Sequence, residues 1–229
     1  MRRLKVHDGK GVRSYEVNES EIDDYTTVLE LLLKIREEKD PSLVLRYSCR
    51  MALCGSCGMI VNGRPRLACL TKVKGLPNEI EVEPLRNLRT IRGLVPDLGD
   101  FFKKYKSVKP YLISDSEQET PTKPYRQKDE EVKKYLQFNY CIQCALCYSA
   151  CPIVATNKEF PGPAAINVAY RYSADSRDIN KERLASLDTV DGVWSCRVAG
   201  SCSAVCPKGV DPSLSIQLVK SLLIRGGKK

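Results

Sequence analysis

What most constrains this chain is the placement of its cysteines. There are 11 in 229 residues, in three groups: Cys49, Cys54, Cys57 and Cys69; then Cys141, Cys144, Cys147 and Cys151; then Cys196, Cys202 and Cys206. An odd count with no secretory signal after Met1 argues against a pure disulfide framework and for thiolates that hold metal in a reducing compartment. No run approaches the roughly 18 uninterrupted apolar residues of a membrane helix. With 42% hydrophobic and 28% charged residues, the chain has enough apolar material for one large or two modest domains.

The net charge is +9, but Lys, Arg, Asp and Glu are interspersed along most of the chain, as on a solvated surface. An acidic partner or anionic lipid would also suit that balance. Arg86-Asn-Leu-Arg-Thr-Ile-Arg92 repeats a basic residue every third position, so on a helix the three would share a face. Without aromatic interleaving or a reader motif, no nucleic-acid partner is expected.

The long cysteine-free stretch after Cys69 contains Ser114-Asp-Ser-Glu-Gln-Glu-Thr-Pro-Thr-Lys-Pro124, polar and twice interrupted by proline, which reads as a connector. The expected division is a domain over 1–105, a connector over 106–128 and a second domain over 129–229. In the first, Arg3 to Val6 and Val12 to Val17 alternate around Asp8-Gly9-Lys-Gly11, a hairpin signal. Thr26 or Thr27 caps a helix to about Glu38 with Val28, Leu32 and Ile35 as its apolar stripe. Met59 to Val61 and Arg66 to Leu70 flank the turn Asn62-Gly63-Arg-Pro65, and Glu79 to Glu83 alternates again. These elements make an α+β domain. Past the connector the spacing turns helical, most clearly at Asp211-Pro212, a cap with proline at the first helical position, followed by Leu214, Leu218 and Leu222. The second domain is expected to be all-α.

Cys49-x4-Cys54-x2-Cys57 with a distant Cys69 matches the plant-type ferredoxin spacing of a 2Fe-2S cluster. Gly55 and Gly58, lacking a Cβ, are expected to let backbone N–H groups approach the sulfurs. The same four cysteines would serve zinc, although zinc sites more often use paired C-x2-C knuckles. Cys141-x2-Cys144-x2-Cys147-x3-Cys151-Pro152 is the bacterial ferredoxin run, whose fourth cysteine serves the other cluster. The third group, Cys196-x5-Cys202-x3-Cys206-Pro207, is that run with Ala199 where the second cysteine would stand. Exchange of ligands then assigns Cys141, Cys144, Cys147 and Cys206 to a 4Fe-4S cluster, and leaves Cys151, Cys196 and Cys202 for a 3Fe-4S cluster. A 4Fe-4S cluster with water on its fourth iron is the alternative for that last group. The only histidine, His7, lies in the first strand, and no Gly-rich nucleotide loop is present, so hydride or flavin chemistry belongs to another chain.

Taken together, Tyr47-Ser-Cys-Arg-Met-Ala-Leu-Cys-Gly-Ser-Cys-Gly58, the two later cysteine runs, Gly162-Pro-Ala-Ala-Ile166, Arg171-Tyr172, Asp175-Ser-Arg-Asp178 and Gly192-Val-Trp-Ser-Cys196 resemble the iron-sulfur subunit of the succinate dehydrogenase and fumarate reductase family, respiratory complex II. The resemblance runs from about residue 3 to 222. It implies a plant-type ferredoxin-like (β-grasp) domain followed by an all-α bacterial-ferredoxin-like domain. It also implies a flavoprotein partner with FAD, a membrane anchor, and electron passage through 2Fe-2S, 4Fe-4S and 3Fe-4S clusters to or from a quinone. The chain would then lie peripherally on the cytoplasmic face of the cell membrane. By the same resemblance, Gln217, Lys220, Pro152 and Arg197 are quinone contacts. Arg197 stands where succinate dehydrogenases commonly have histidine, and Ala155-Thr-Asn157 where they have tryptophan; both departures favour the fumarate reductase branch and menaquinone. Lys220 also reads as a solvated helix-end lysine, and Trp194 as packing beside a cluster. A soluble flavoenzyme complex without a quinone, of the thiol-coupled fumarate reductase or glycolate-oxidase-like kind, is the second functional expectation. Members of that group often carry further cysteine-rich repeats.

Overall fold

A computed structural model describes residues 2–9, 11–114 and 124–226; residues 115–123 of the expected 106–128 connector lie outside them. Two compact units result, Met1–Leu98 with Ile142–Ala150, and Gly99–Cys141 with Cys151–Lys229. The chain is thus divided after Leu98, and the middle of the second cysteine run joins the N-terminal unit.

The N-terminal unit is built on a mixed sheet in the order β2-β1-β5-β3-β4. Strands β1 (Arg2–His7) and β2 (Val12–Val17) form the expected antiparallel hairpin, and β5 (Glu79–Glu83) lies parallel to β1 with Leu4 opposite Ile80 and Val6 opposite Val82. Those four side chains are buried. Helix α1 (Val28–Glu38) starts at Thr27, whose side chain accepts from the Glu30 N–H while Glu30 reaches back to the Thr27 N–H, a reciprocal capping box. Val28, Leu32 and Ile35 are all buried.

Strands β3 (Gly58–Val61) and β4 (Arg64–Leu67) pair with Val61 opposite Arg64. The connecting turn is only Asn62-Gly63, at φ 47° and 75°, the two left-handed residues that match strand twist. The strand therefore resumes two residues earlier than expected, and Pro65 sits inside it. That is tolerated because β4 is an edge strand. The Arg86–Arg92 segment is not a helix: Asn87 is left-handed at φ 63°, and Thr90–Arg92 is strand β6, paired with β7 (Val95–Pro96). Arg86 instead pairs with Glu83, and Arg89 with Asp97.

The helices that follow in chain order are α2 (Gly99–Ser107), α3 (Asp129–Lys133), α4 (Leu146–Ser149), α5 (Pro152–Thr156), α6 (Pro163–Ser173), α7 (Glu182–Ala185), α8 (Ser201–Ala204) and α9 (Pro212–Ile224). Of these α4 belongs to the N-terminal unit; the rest make the C-terminal unit helical, as expected. Its centre is α6, buried over most of its length and packed against α9. Asp211 caps α9 by accepting from the Leu214 N–H at 2.9 Å, with Pro212 at the first position. The buried face of α9 is Pro212, Ser215, Ile216 and Val219, whereas Leu214 is exposed and Leu218 and Leu222 are half-buried. The leucine stripe is therefore not the packing face. Ser215 can be fully buried because its hydroxyl donates to the Pro212 carbonyl of its own helix at 2.8 Å, and its small size suits close approach to a helix carrying Ala164, Ala165 and Ala169.

Candidate functional site

The first cysteine loop follows from local backbone choices. Arg50 (φ 58°), Ala52 (57°) and Gly55 (73°) are left-handed, so the chain curls and its N–H groups turn inward. Cys49 Sγ accepts from the N–H groups of Met51, Leu53 and Cys54 at 3.3–3.4 Å, Cys69 Sγ from Ala52 at 3.3 Å, and Cys57 Sγ from Cys69 at 3.5 Å. Such inward-pointing N–H groups stabilise negative charge on sulfur. The left-handed turn at Gly55 helps aim these donors at the sulfurs. Both glycines also have a spatial role: a Cβ on Gly55 would lie 2.8 Å from Cys144 Cβ and 3.0 Å from the Ile142 carbonyl oxygen, and one on Gly58 would lie 3.2 Å from the Cys144 carbonyl oxygen. Gly58 opens β3. Asn87 Nδ2 completes this seam by donating to the carbonyls of Tyr148 (3.2 Å) and Ser149 (3.0 Å).

The thiols of this loop differ electrostatically. Hydrogen bonds from the Ser56 hydroxyl and N–H lower Cys54 to about 6, while burial pushes Cys57 up to about 12. A buried thiolate needs compensating positive charge or N–H donors, which is what a bound metal centre and this loop would supply together.

In the C-terminal unit, Cys151, Cys196 and Cys202 line one cavity with Pro152, Arg197 and Ala199. Pro152 is exposed at the start of α5, Cys202 is buried in α8, and Gly200, at φ 71°, makes the turn that leads into α8. Burial raises Cys151, and the neighbouring Cys196 charge adds to it. Burial likewise pushes Cys202 up to about 11, opposed by a hydrogen bond with Ser203 and reinforced by Cys151 and Cys196. The three thiols therefore sense one another, with Ala199 beside them.

The other residues singled out in the sequence fall as follows. Lys220 is not a solvated helix-end lysine: its Nζ donates to the Cys196 carbonyl at 3.0 Å and lies 5.7 Å from the Trp194 ring centroid. Trp194 is partly exposed and donates through Nε1 to Asp188 at 2.7 Å. Gln217 is not part of the cavity lining, and its Nε2 is buried without a hydrogen-bond partner among the described residues. Cys144 and Cys147 belong to the N-terminal unit, Cys141 and Cys206 to the C-terminal one. His7 Nε2 is buried within the sheet and likewise lacks a partner among the described residues. Sequence reasoning missed Asn87 and Ser56. Ser56 was legible in principle as a hydroxyl two residues after a ligand-type cysteine; Asn87 carried no local signal.

Comparison with known proteins bears on what this arrangement serves. Residues 1–103 match a family described as a 2Fe-2S iron-sulfur cluster binding domain, and residues 137–210 one described as a 4Fe-4S dicluster domain. The fumarate reductase iron-sulfur subunit of Mycobacterium tuberculosis is 44% identical over 220 residues, covering 95% of this chain and 88% of that protein. That of Escherichia coli O157:H7 is 47% identical over 199 residues, covering 85% and 80%. The succinate dehydrogenase iron-sulfur subunit of Paracoccus denitrificans is 39% identical over 199 residues, covering 86% and 76%. A chain in the structure of the Mycobacterium smegmatis Sdh1 complex in the apo form superposes with a TM-score of 0.88 at 26% identity, covering 98% of this chain and 96% of that one.

Proposed function

Because the chain belongs to the family of succinate dehydrogenase and fumarate reductase iron-sulfur subunits, components of an oxidoreductase complex, we propose that it conducts single electrons between the FAD of a flavoprotein partner and a quinone. The observation that carries this reading is the cavity in which Cys151, Cys196 and Cys202 meet Pro152 and Arg197, three thiols beside two residues of quinone-contact type. In this reading the N-terminal domain (1–105) holds a 2Fe-2S cluster on Cys49, Cys54, Cys57 and Cys69. Cys141, Cys144, Cys147 and Cys206 hold a 4Fe-4S cluster, and Cys151, Cys196 and Cys202 a 3Fe-4S cluster, in the domain expected over 129–229.

Bound clusters supply reversible one-electron redox chemistry. What this chain's own residues do is hold and insulate. The N–H groups of Met51, Ala52, Leu53, Cys54 and Cys69 offset thiolate charge. Lys220 fixes the Cys196 backbone from α9. Ala199 offers a methyl where a fourth thiolate would sit. For the quinone, the unpartnered Gln217 amide supports a ligand, since a buried donor without an acceptor is costly. Arg197 and Lys220 would orient a carbonyl oxygen by hydrogen bonding, and menaquinone is the species this reading favours.

No helix among the described residues is long and apolar enough to cross a membrane, which fits a peripheral subunit held by a separate anchor on the cytoplasmic face. The test is the purified complex assayed for succinate-dependent quinone reduction and quinol-dependent fumarate reduction. Gln217→Leu and Lys220→Met should raise the KM for quinone while electron transfer from succinate to a soluble dye is retained. Unchanged quinone kinetics in both variants would place the quinone away from Gln217 and Lys220, and no quinone turnover by the unaltered complex would favour a soluble flavoenzyme complex without a quinone site.

A further inference from the structure

Gly55 and Gly58 both lie against the stretch that carries Cys144, and Asn87 ties the far end of that stretch to the same unit. Of these two glycines, Gly55 alone combines a left-handed backbone with no room for a side chain. An added Cβ would stand 2.8 Å from Cys144 Cβ and 3.0 Å from Cys144 Cα, and neither atom is the free end of a flexible side chain. Gly63 has nearly the same φ, 75° against 73°, yet nothing lies within 4 Å of its added Cβ. Steric demand at Gly55 is therefore separable from backbone strain.

We propose that Gly55 is a positioning residue that sets the closest approach of the Cys49–Cys57 loop to the Cys144 loop, with Asn87 holding that approach closed, so that an electron crosses between the two centres at this seam. The inference rests on the cluster assignment proposed above. With clusters bound on both loops, one would be oxidised by one electron and the other reduced by it, from the first loop to the Cys144 loop in succinate oxidation and the reverse in fumarate reduction, and no atom or proton would move. Tunnelling probability falls exponentially with separation, so small displacements at the seam change the rate by large factors. The hydrogen bonds from Asn87 to Tyr148 and Ser149 oppose opening without adding bulk, which makes removal of the amide a milder version of the same perturbation.

The experiment uses the whole complex, purified anaerobically. It reads the spin relaxation of the reduced 2Fe-2S signal with and without a reduced 4Fe-4S neighbour, together with the pre-steady-state rate at which the second centre is reduced. In Gly55→Ala, with all clusters retained, relaxation enhancement should weaken and the intercluster rate should drop several-fold; Gly63→Ala should behave as the unaltered complex. Asn87→Ala should show a smaller loss of both. Wild-type coupling and rate in a fully loaded Gly55→Ala complex would overturn the proposal, as would equal effects in Gly55→Ala and Gly63→Ala. Should Gly55→Ala not assemble, the decision passes to Asn87→Ala, and unchanged coupling there overturns the proposal. Absence of either cluster signal in the unaltered complex would instead defeat the cluster assignment itself.

Discussion

The guanidinium of Arg183 meets both carboxylate oxygens of Asp178, at 2.8 and 3.1 Å, and neither side chain has exposed surface. The remaining donors of Arg183 reach the carbonyls of Val108, Lys109 and Tyr111, and Asp178 also accepts from the Ile113 N–H at 3.1 Å. One buried ion pair thereby ties the chain after α2 to the segment leading into α7. Because every partner is satisfied, removing one charge leaves the other buried and alone. Asp178→Ala should lower unfolding free energy by about 3–5 kcal/mol, measured by urea denaturation. A loss below about 1 kcal/mol, the range of an exposed pair, would show that the pair does not hold this segment.

Asp175 makes a second, pH-sensitive tie. Burial alone would raise its carboxyl, but hydrogen bonds from Arg177, side chain and backbone, and from Arg171 outweigh burial and bring it from 3.8 to about 2. A folded value below the unfolded one means the stabilisation is full above about pH 4 and is lost as pH falls towards 2. It amounts to about 2 kcal/mol. Acid unfolding of the unaltered protein should therefore steepen through that window. Asp175→Asn should be less stable at neutral pH and show a flatter dependence between pH 4 and 2; an unchanged slope would contradict the pairing.

How much of this was readable beforehand depends on the range of the interaction. The capping box at Thr27 and Glu30, the Val28, Leu32 and Ile35 stripe and the Asp211-Pro212 cap are contacts within one turn of helix, and their signal lies in adjacent residues. The cysteine spacings were legible for the same reason. By contrast, α9 buries Ser215 rather than its leucine stripe because its neighbour α6 is rich in alanine, a fact about another element. Gly55 announced a turn but not that Cys144 lies against it. Asn87 and the bonds from Arg183 to the carbonyls of Val108, Lys109 and Tyr111 act across 61 to 75 residues and left no periodic trace.

Hydrogen bonds to sulfur should be measurable as potential. The Ser56 hydroxyl acts on Cys54 Sγ and would stabilise the more negative, reduced state. Ser56→Ala should lower the potential of the 2Fe-2S centre. One such bond is worth about 1 kcal/mol, which is ~40 mV for a one-electron couple. Redox titration followed by EPR reads this directly; a potential unchanged or raised would show that the hydroxyl does not act on the bound centre.

Ala199 lines the cavity shared by Cys151, Cys196 and Cys202, and its position completes the spacing of the third cysteine group. Ala199→Cys should supply the missing thiolate and convert the three-iron centre into a 4Fe-4S centre, with loss of the oxidised-state EPR signal and gain of a reduced one. Iron analysis should rise by one atom per chain. Retention of the three-iron signal in a soluble, fully loaded variant would mean that position 199 does not govern nuclearity.

The most direct measurement on the central claim is low-temperature EPR of the unaltered complex, purified anaerobically and recorded oxidised and dithionite-reduced. The account predicts an oxidised-state 3Fe-4S signal, together with reduced 2Fe-2S and 4Fe-4S signals, so that the 11 cysteines divide among three centres. An oxidised sample without signal and a reduced sample with an extra 4Fe-4S centre would contradict it, since a non-cysteine ligand would then occupy the place left by Ala199.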